Sequence, residues 1–294
     1  MELRQVEYAL AVIDHGSFTG AAQAMYVTQP AVSEAIHRLE RELRVELFHR
    51  VGRSVVLSAA GEAFEEPARQ MLRDAQSLLA SVQAVSGLVA GRLDLVVLPT
   101  LAADPVAAWV GAFSTAHPDV TVRVTEPEDS AEASGMVRSG ACELGILDVP
   151  PADAGLLVEE LFVQRVFAVF PAGTPIPRSG RVAIQGLAKM PLVTTPRGTS
   201  TRQMADEALA KGGVDTNVAV ETGQRDAIVP LVLAGAGMSF LPEPLADEAR
   251  KRGAVVAALT PAVRRTIGVV HRTGPLSPAA SAFLEIVREG TSSR

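Results

Sequence analysis

One cysteine, three lysines and few aromatic rings set the first limits on this 294-residue chain. Cys142 has no second cysteine to pair with, so a disulfide framework is excluded. The five histidines, His15, His37, His49, His117 and His271, are scattered, and with a single thiol they offer no zinc-ligand spacing. No uncharged apolar run approaches the roughly 20 residues that a membrane-crossing helix needs. The N-terminal stretch MELRQVEYALAVIDHGSF mixes acid, base and apolar residues and has no signal-peptide core, so the cytoplasm is the expected compartment. Apolar residues make up 48% of the chain and aromatics 4%, which describes an aliphatic-rich globular protein long enough for two or three domains. The formal net charge of −6 argues against a generic polyanion binder, and residues 1–57 carry six arginines against seven acids. Bulk charge therefore excludes little, and placement has to be read locally.

The stretch TQPAVSEAIHRLE, Thr28 to Glu40, supplies that placement. Pro30 fits only the first turn of a helix, and Thr28 before it is a good N-cap. Ala31, Val32, Ala35, Ile36, Leu39 and Leu43 recur at helical spacing, while Gln29, Ser33, His37 and Arg41 share a polar face. Leu3 to His15 reads as a preceding helix ended by Gly16, and Ser17 opens a short helix to Met25. Two helices joined by the turn Tyr26-Val27-Thr28 form a helix-turn-helix, which presents the start of its second helix to a major groove. Residues 47–57 then read as a two-stranded wing with Gly52 and Arg53 at its tip. An ordinary helical bundle explains the helix pair alone; the wing favours double-stranded DNA as partner.

Together these residues closely resemble the LysR-type transcriptional regulators. The resemblance is carried by Gly16-Ser17-Phe18-Thr19-Gly20-Ala21-Ala22, Thr28-Gln29-Pro30-Ala31-Val32-Ser33, Leu39-Glu40, Leu47-Phe48-His49-Arg50 and Leu57-Ser58-Ala59-Ala60-Gly61. It implies an α/β protein with an N-terminal winged helix-turn-helix, a long linker helix and a two-lobed effector domain like that of periplasmic binding proteins. Two residues depart from the pattern. Arg44 stands where the family usually has a glycine that ends the recognition helix, and Glu34 stands where a basic or amide side chain is common. Candidate DNA contacts are Thr28, Gln29, Pro30, Ser33, His37 and Arg38 on the helix, with Arg50 and Arg53 on the wing.

Residues 59–89 read as a linker helix in which Phe64, Ala68, Met71, Ala75, Leu78, Val82 and Val85 repeat at spacings of four and three. That spacing predicts a heptad seam and pairing with a second copy, as a homodimer or homotetramer, with Pro67 expected to kink the helix. From residue 90 strands and helices alternate in two similar series, predicting two lobes with parallel sheets, about 90–161 with 268–294 and about 162–267. Crossings between the lobes are expected near Asp148–Leu161 and Arg265–His271. Ligands of such sheets sit beyond the carboxyl ends of strands, near helix starts. Thr100 follows the first strand of lobe one, and Thr195, Arg197, Thr199 and Ser200 follow the first strand of lobe two; Thr125 and Asp148 end strands nearby. Ser200 with Gln203 also fits a capping box, which accounts for one hydroxyl and not for the whole group. The family implies that these loops line an inducer cleft, and the mixture of hydroxyls with Arg197 predicts a small anionic effector, a carboxylate.

Catalytic patterns are incomplete. Gly237-Met238-Ser239-Phe240-Leu241 lacks the last glycine of a nucleophile elbow, and Gly235-Ala236-Gly237 lacks the third glycine of a dinucleotide fingerprint. Cys142 reads as a small core residue. The expectation is a ligand-responsive regulator, neither an enzyme nor a metal or cofactor protein. The rival is a two-lobed binding protein or enzyme whose N-terminal helices serve only oligomerisation.

Overall fold

The computed structural model describes residues 1–51, 54–84, 91–149, 155–215 and 217–292. Val85 and Arg53, expected in the linker seam and at the wing tip, lie outside these residues. The chain divides into two compact units: Met1–Gly91 with Ser139–Ala141 and Leu276–Pro278, and the remainder from Arg92 onward.

In the first unit α1 spans Leu3–His15, α2 Phe18–Ala24 and α3 Gln29–Leu43; strands β1 Phe48–Val51 and β2 Ser54–Leu57 pair antiparallel, and α4 covers Ala59–Ala84. Gly16 ends α1 in the left-handed region at φ 62°, and the Ser17 hydroxyl caps α2 by accepting the Gly20 N–H at 3.0 Å. Val32, Ile36 and Leu39 of α3 are buried with Val12, Phe18, Ala21 and Leu47. Each such burial is worth about 1.5–3 kcal/mol. Ala31 and Leu43, expected on the same stripe, are exposed; Ala31 sits one residue, about 100° of helix, off the line of Val32, Ile36 and Leu39.

Arg44 ends α3 with φ 59° and ψ 28°, so an arginine occupies the left-handed position that glycine fills without strain. The remaining signature residues hold the wing. The Glu40 carboxylate accepts the Leu47 N–H at 2.8 Å, Ser58 donates to the Glu46 carbonyl at 2.6 Å and accepts from the Gly61 N–H at 3.0 Å. A Cβ on Gly61 would stand 2.2 Å from the Leu47 carbonyl oxygen, so only glycine lets α4 start this close to the wing.

The linker seam is divided. Ala68 is 4% exposed and packs with Val6 and Leu10 of α1, with Phe64, Met71 and Leu72 alongside. Leu78 and Val82 are 64% and 66% exposed. Phe64, Ala68 and Met71, expected to face a second copy, are therefore covered by the chain's own first helix, whose apolar stripe needs that cover; Ala75, between the two halves, is partly buried. The helix runs unbroken through Pro67.

In the second unit β3 is Gly91–Val97, followed by the single turn α5 Pro99–Leu101, α6 Ala107–Ala116, β4 Val120–Thr125, α7 Ser130–Arg138 and β5 Leu144–Asp148. Then come β6 Leu156–Phe170, β7 Arg181–Ala183, β8 Leu192–Thr194, α8 Ser200–Gly212, β9 Val218–Glu221, α9 Ile228–Leu233, β10 Ser239–Pro242, α10 Glu243–Lys251, β11 Val255–Arg272 and α11 Pro278–Ser292. Two separate parallel sheets were expected. The parallel pairs are found, β3 with β5 in lobe one and β8 with β9 as a separate two-stranded sheet in lobe two, but β10, β6, β11, β5, β3 and β4 form one mixed sheet, with β7 also on β11, because β6 and β11 are long antiparallel partners that run through both lobes. Of the expected crossings, 156–161 is the start of β6 and Arg265–His271 the end of β11; Asp148 ends β5, and 150–154 lie outside the described residues. In lobe one α11 returns as expected, Phe283 meeting Phe113 of α6 edge-on at 5.5 Å. Lobe two buries Phe170, Met204, Leu209 and Phe240 on one side of its strands and Val193, Ile228, Val232 and Leu241 on the other. No helix among the described residues is long and apolar enough to cross a membrane.

Candidate functional site

The recognition face is built by the first turns of α3. Thr28 is its N-cap in extended backbone, yet its hydroxyl makes no capping bond, and Pro30 sits in the first turn. Thr28, Pro30, His37 and Arg38 are exposed, and Gln29 and Ser33 partly so. Gln29, Pro30 and Ser33 lie in the first two turns of the helix and His37 and Arg38 in its third, all on the side away from the buried Val32, Ile36 and Leu39. Glu34 stands among them, taking Arg38 Nε at 3.0 Å and lying 3.9 Å from Arg41. The Arg38 bond holds its carboxyl below the usual range, so this face carries a fixed negative charge as well as cations. His37 meets Glu40 at 3.3 Å. Arg50 belongs to β1 by its backbone; its side chain is outside the described set.

The second site lies where the two lobes of the effector unit meet. Thr195, Thr199 and Ser200 are buried at the start of α8. Thr199, rather than Ser200, is the N-cap: its Oγ1 accepts the Arg202 N–H at 3.3 Å, donates to the Pro196 carbonyl at 2.8 Å and lies 2.5 Å from Thr195 Oγ1. That shift frees the Ser200 hydroxyl from the capping box. Ser200 Oγ, Thr201 Oγ1 and Thr194 Oγ1 are buried with no hydrogen-bond partner among the described residues. Such hydroxyls cost about 1–3 kcal/mol each until something meets them.

Lobe one reaches this helix start directly. The Ser200 N–H donates to the Glu128 carbonyl at 2.8 Å, and Arg225 of lobe two donates to the Glu128 carboxylate at 3.1 Å. In a second cluster Arg265 of β11, only 9% exposed, donates to Thr100 Oγ1 at 2.8 Å and to Gln164 Oε1 at 2.8 and 2.5 Å, and stands 3.3 Å from Asp148. Burial pushes the Asp148 carboxyl upward, opposed by the guanidinium beside it.

Thr100 and Asp148 are thus gathered on one buried arginine, and Thr195, Thr199 and Ser200 on one helix start. Arg197 is exposed in the loop before α8. The Thr125 hydroxyl bears on the thiol of Cys142, which burial and nearby Asp94 push up to about 11, a protonated and unreactive thiol. Arg265, Gln164, Glu128 and Arg225 were not anticipated from the sequence. The signals available for the first two were the polar Gln164-Arg165 pair in β6 and the Arg264-Arg265 pair in β11.

A winged helix-turn-helix joined to a two-lobed α/β unit with a polar junction defines a ligand-responsive DNA-binding regulator. Residues 3–62 match the family described as bacterial regulatory helix-turn-helix protein, lysR family, and residues 86–292 match the LysR substrate binding domain. The chain belongs to the LysR family of transcriptional regulators. It is 30% identical over 295 residues to the HTH-type transcriptional regulator TfdS of Cupriavidus pinatubonensis, covering 99% of each chain. It is 26% identical over 291 residues to the DNA-binding transcriptional dual regulator OxyR of Escherichia coli, covering 98% of this chain and 95% of that one. In fold it is similar to full-length OxyR from Pseudomonas aeruginosa, with TM-score 0.78, 23% identity and coverage of 99% and 94%. It is likewise similar to CbnR complexed with its target DNA, with TM-score 0.67, 24% identity and coverage of 98% and 99%.

Proposed function

We propose that this regulator acts in the cytoplasm as a homodimer or homotetramer and is switched by a small organic acid, bound without metal or catalytic cofactor where the two lobes meet at the start of α8. The observation that carries this reading is the set of three buried hydroxyls, Ser200, Thr201 and Thr194, left without partners around a helix N-terminus. Hydroxyl donors and the positive end of a 13-residue helix suit a carboxylate. Arg265 supplies a buried positive charge beside Thr100, a role the sequence assigned to Arg197. A ligand that favours one arrangement of the lobes shifts the population of that arrangement. Support for self-association is the exposed apolar pair Leu78 and Val82, one helical turn apart.

A thermal-shift screen of small organic acids tests the effector reading, repeated on Ser200→Ala, Arg265→Gln and Arg197→Ala. The expected result is an acid that stabilises the parent and binds Ser200→Ala about tenfold or more weakly, the worth of a hydrogen bond to a charged group. An uncharged effector, or equal affinity for Ser200→Ala, overturns the acid reading and leaves the family assignment standing.

A further inference from the structure

Arg264 of β11 and Arg165 of β6 are direct partners across an antiparallel strand pair. Directly opposed residues point to the same face with Cβ atoms about 4.5–5.5 Å apart, and like charges so placed repel. The next pair along is Arg265 and Gln164, which alternation turns to the other face, towards Thr100 and Asp148. A third arginine joins the first two from the neighbouring strand, where Arg181 of β7 pairs with Ala258 of β11. Arg165, Arg181 and Arg264 line a cavity of about 310 Å³ whose remaining walls are Ala258, Leu259 and Ala262.

Among the described residues little offsets this concentration of charge. Arg165 lies 3.7 Å from Glu243, with both side chains about half exposed, and its guanidinium stacks over the Phe167 ring at 4.7 Å. Arg181 and Arg264 have no acidic partner within 4 Å among the described residues. In a chain of net charge −6, three arginines around one small-walled hollow, two of them forced face to face by strand register, are a cost unless an anion sits between them.

We propose that this hollow is a binding site for a small phosphorylated molecule, its phosphate or diphosphate group held by Arg165, Arg181 and Arg264. Planar guanidinium forks match phosphate oxygens two at a time, and alanine walls leave the hollow open to a group of that size. The site stands on the two strands that run through both lobes, one residue along from the Arg265 and Gln164 pair. A ligand here acts on the same strands as the effector at the lobe junction, and any coupling between the two is reciprocal.

Isothermal titration of the full-length protein with pyrophosphate, and separately with inorganic phosphate, against chloride at matched ionic strength, tests the site. The expected result is saturable binding to the parent, weakened at least tenfold in Arg264→Gln and less in Arg264→Lys, which keeps the charge and loses the fork. Both variants, altered only at an exposed side chain, are expected to keep the parent's sedimentation and operator affinity. Heat that does not saturate, or equal binding by parent and Arg264→Gln, overturns the proposal. A loss of affinity for every DNA in Arg264→Gln, or a change in its sedimentation, assigns the arginines to a DNA backbone or to a second copy and overturns it as well.

Discussion

The main-chain N–H of Ser200 donates to the carbonyl of Glu128 at 2.8 Å, so the first amide of α8 in lobe two is engaged by a loop of lobe one. Arg225 reinforces the same bridge through the Glu128 carboxylate, which is 68% exposed. An exposed pair contributes about 0.2–1 kcal/mol. Arg225→Ala is therefore expected to favour the unbridged lobes and to lower the affinity of an effector that needs the bridged arrangement by no more than about fivefold. Titration calorimetry of parent and variant checks this; a larger loss would make Arg225 a ligand-contacting group rather than a bridge.

Gln29 is expected to read a base edge and Glu34 to restrain cations. An amide pairs with adenine in the major groove, so Gln29→Ala lowers the ratio of operator to random-DNA affinity by about 1–3 kcal/mol. Glu34→Gln removes an anion and releases Arg38 and Arg41, so it strengthens binding to all sequences and steepens the salt dependence by up to about two phosphate contacts. Fluorescence anisotropy over a salt series separates the two. An unchanged ratio in Gln29→Ala contradicts the base-reading role.

The division of α4 separates folding from assembly. Ala68→Leu forces extra volume against Val6 and Leu10 and is expected to cost about 1–3 kcal/mol of stability while leaving assembly intact. Leu78→Glu is expected to leave the fold unchanged and to weaken self-association by setting like charges against each other at the seam. Urea unfolding and sedimentation velocity on both variants check the pair, and an unchanged assembly in Leu78→Glu moves the interface to the effector unit.

The local signals in the sequence were strong where backbone geometry is set by neighbours. Thr28-Gln29-Pro30 and Gly16-Ser17 marked the helix ends, β4 and β9 came out with the expected bounds, and Arg44 was suspect because a left-handed helix end disfavours a side chain. What the sequence hid was long-range. Whether Phe64 and Met71 face a second copy or α1 depends on tertiary packing, since an apolar stripe is the same for either. Arg265 could not be placed beside Thr100 from a separation of 165 residues, and β6 and β11 read as short crossings because their register is set only by pairing. The capping box that Ser200 and Gln203 fit in the sequence is displaced by Thr199, which takes the cap one residue earlier and leaves Ser200 within the group of hydroxyls expected to meet an effector.

Acid should weaken the docking of α11 on the sheet. Glu159 of β6 accepts Arg288 Nε at 2.8 Å and Nη2 at 2.6 Å, and those bonds hold its carboxyl below the usual range. A lowered folded-state pKa gives stability that is present above the unfolded value and is lost as pH falls through the folded one. With Arg288 about half exposed the contribution is up to about 1 kcal/mol. Glu159→Gln is thus expected to be slightly less stable than the parent near neutrality and to converge with it as the carboxylate range is crossed. Urea midpoints over that range check the slope; a constant gap would show that the pair contributes by shape alone.

The most direct measurement of the account is the operator affinity of the full-length protein with and without the acid that the screen identifies. Coupling between two sites is commonly about 1–3 kcal/mol, so saturating acid is expected to change operator affinity of the parent by about fivefold or more, and Ser200→Ala is expected to need about tenfold or more acid for the same change. An acid that binds the parent and leaves operator affinity unchanged, or that shifts Ser200→Ala just as far at the same sub-saturating concentrations, contradicts a switch seated at the start of α8.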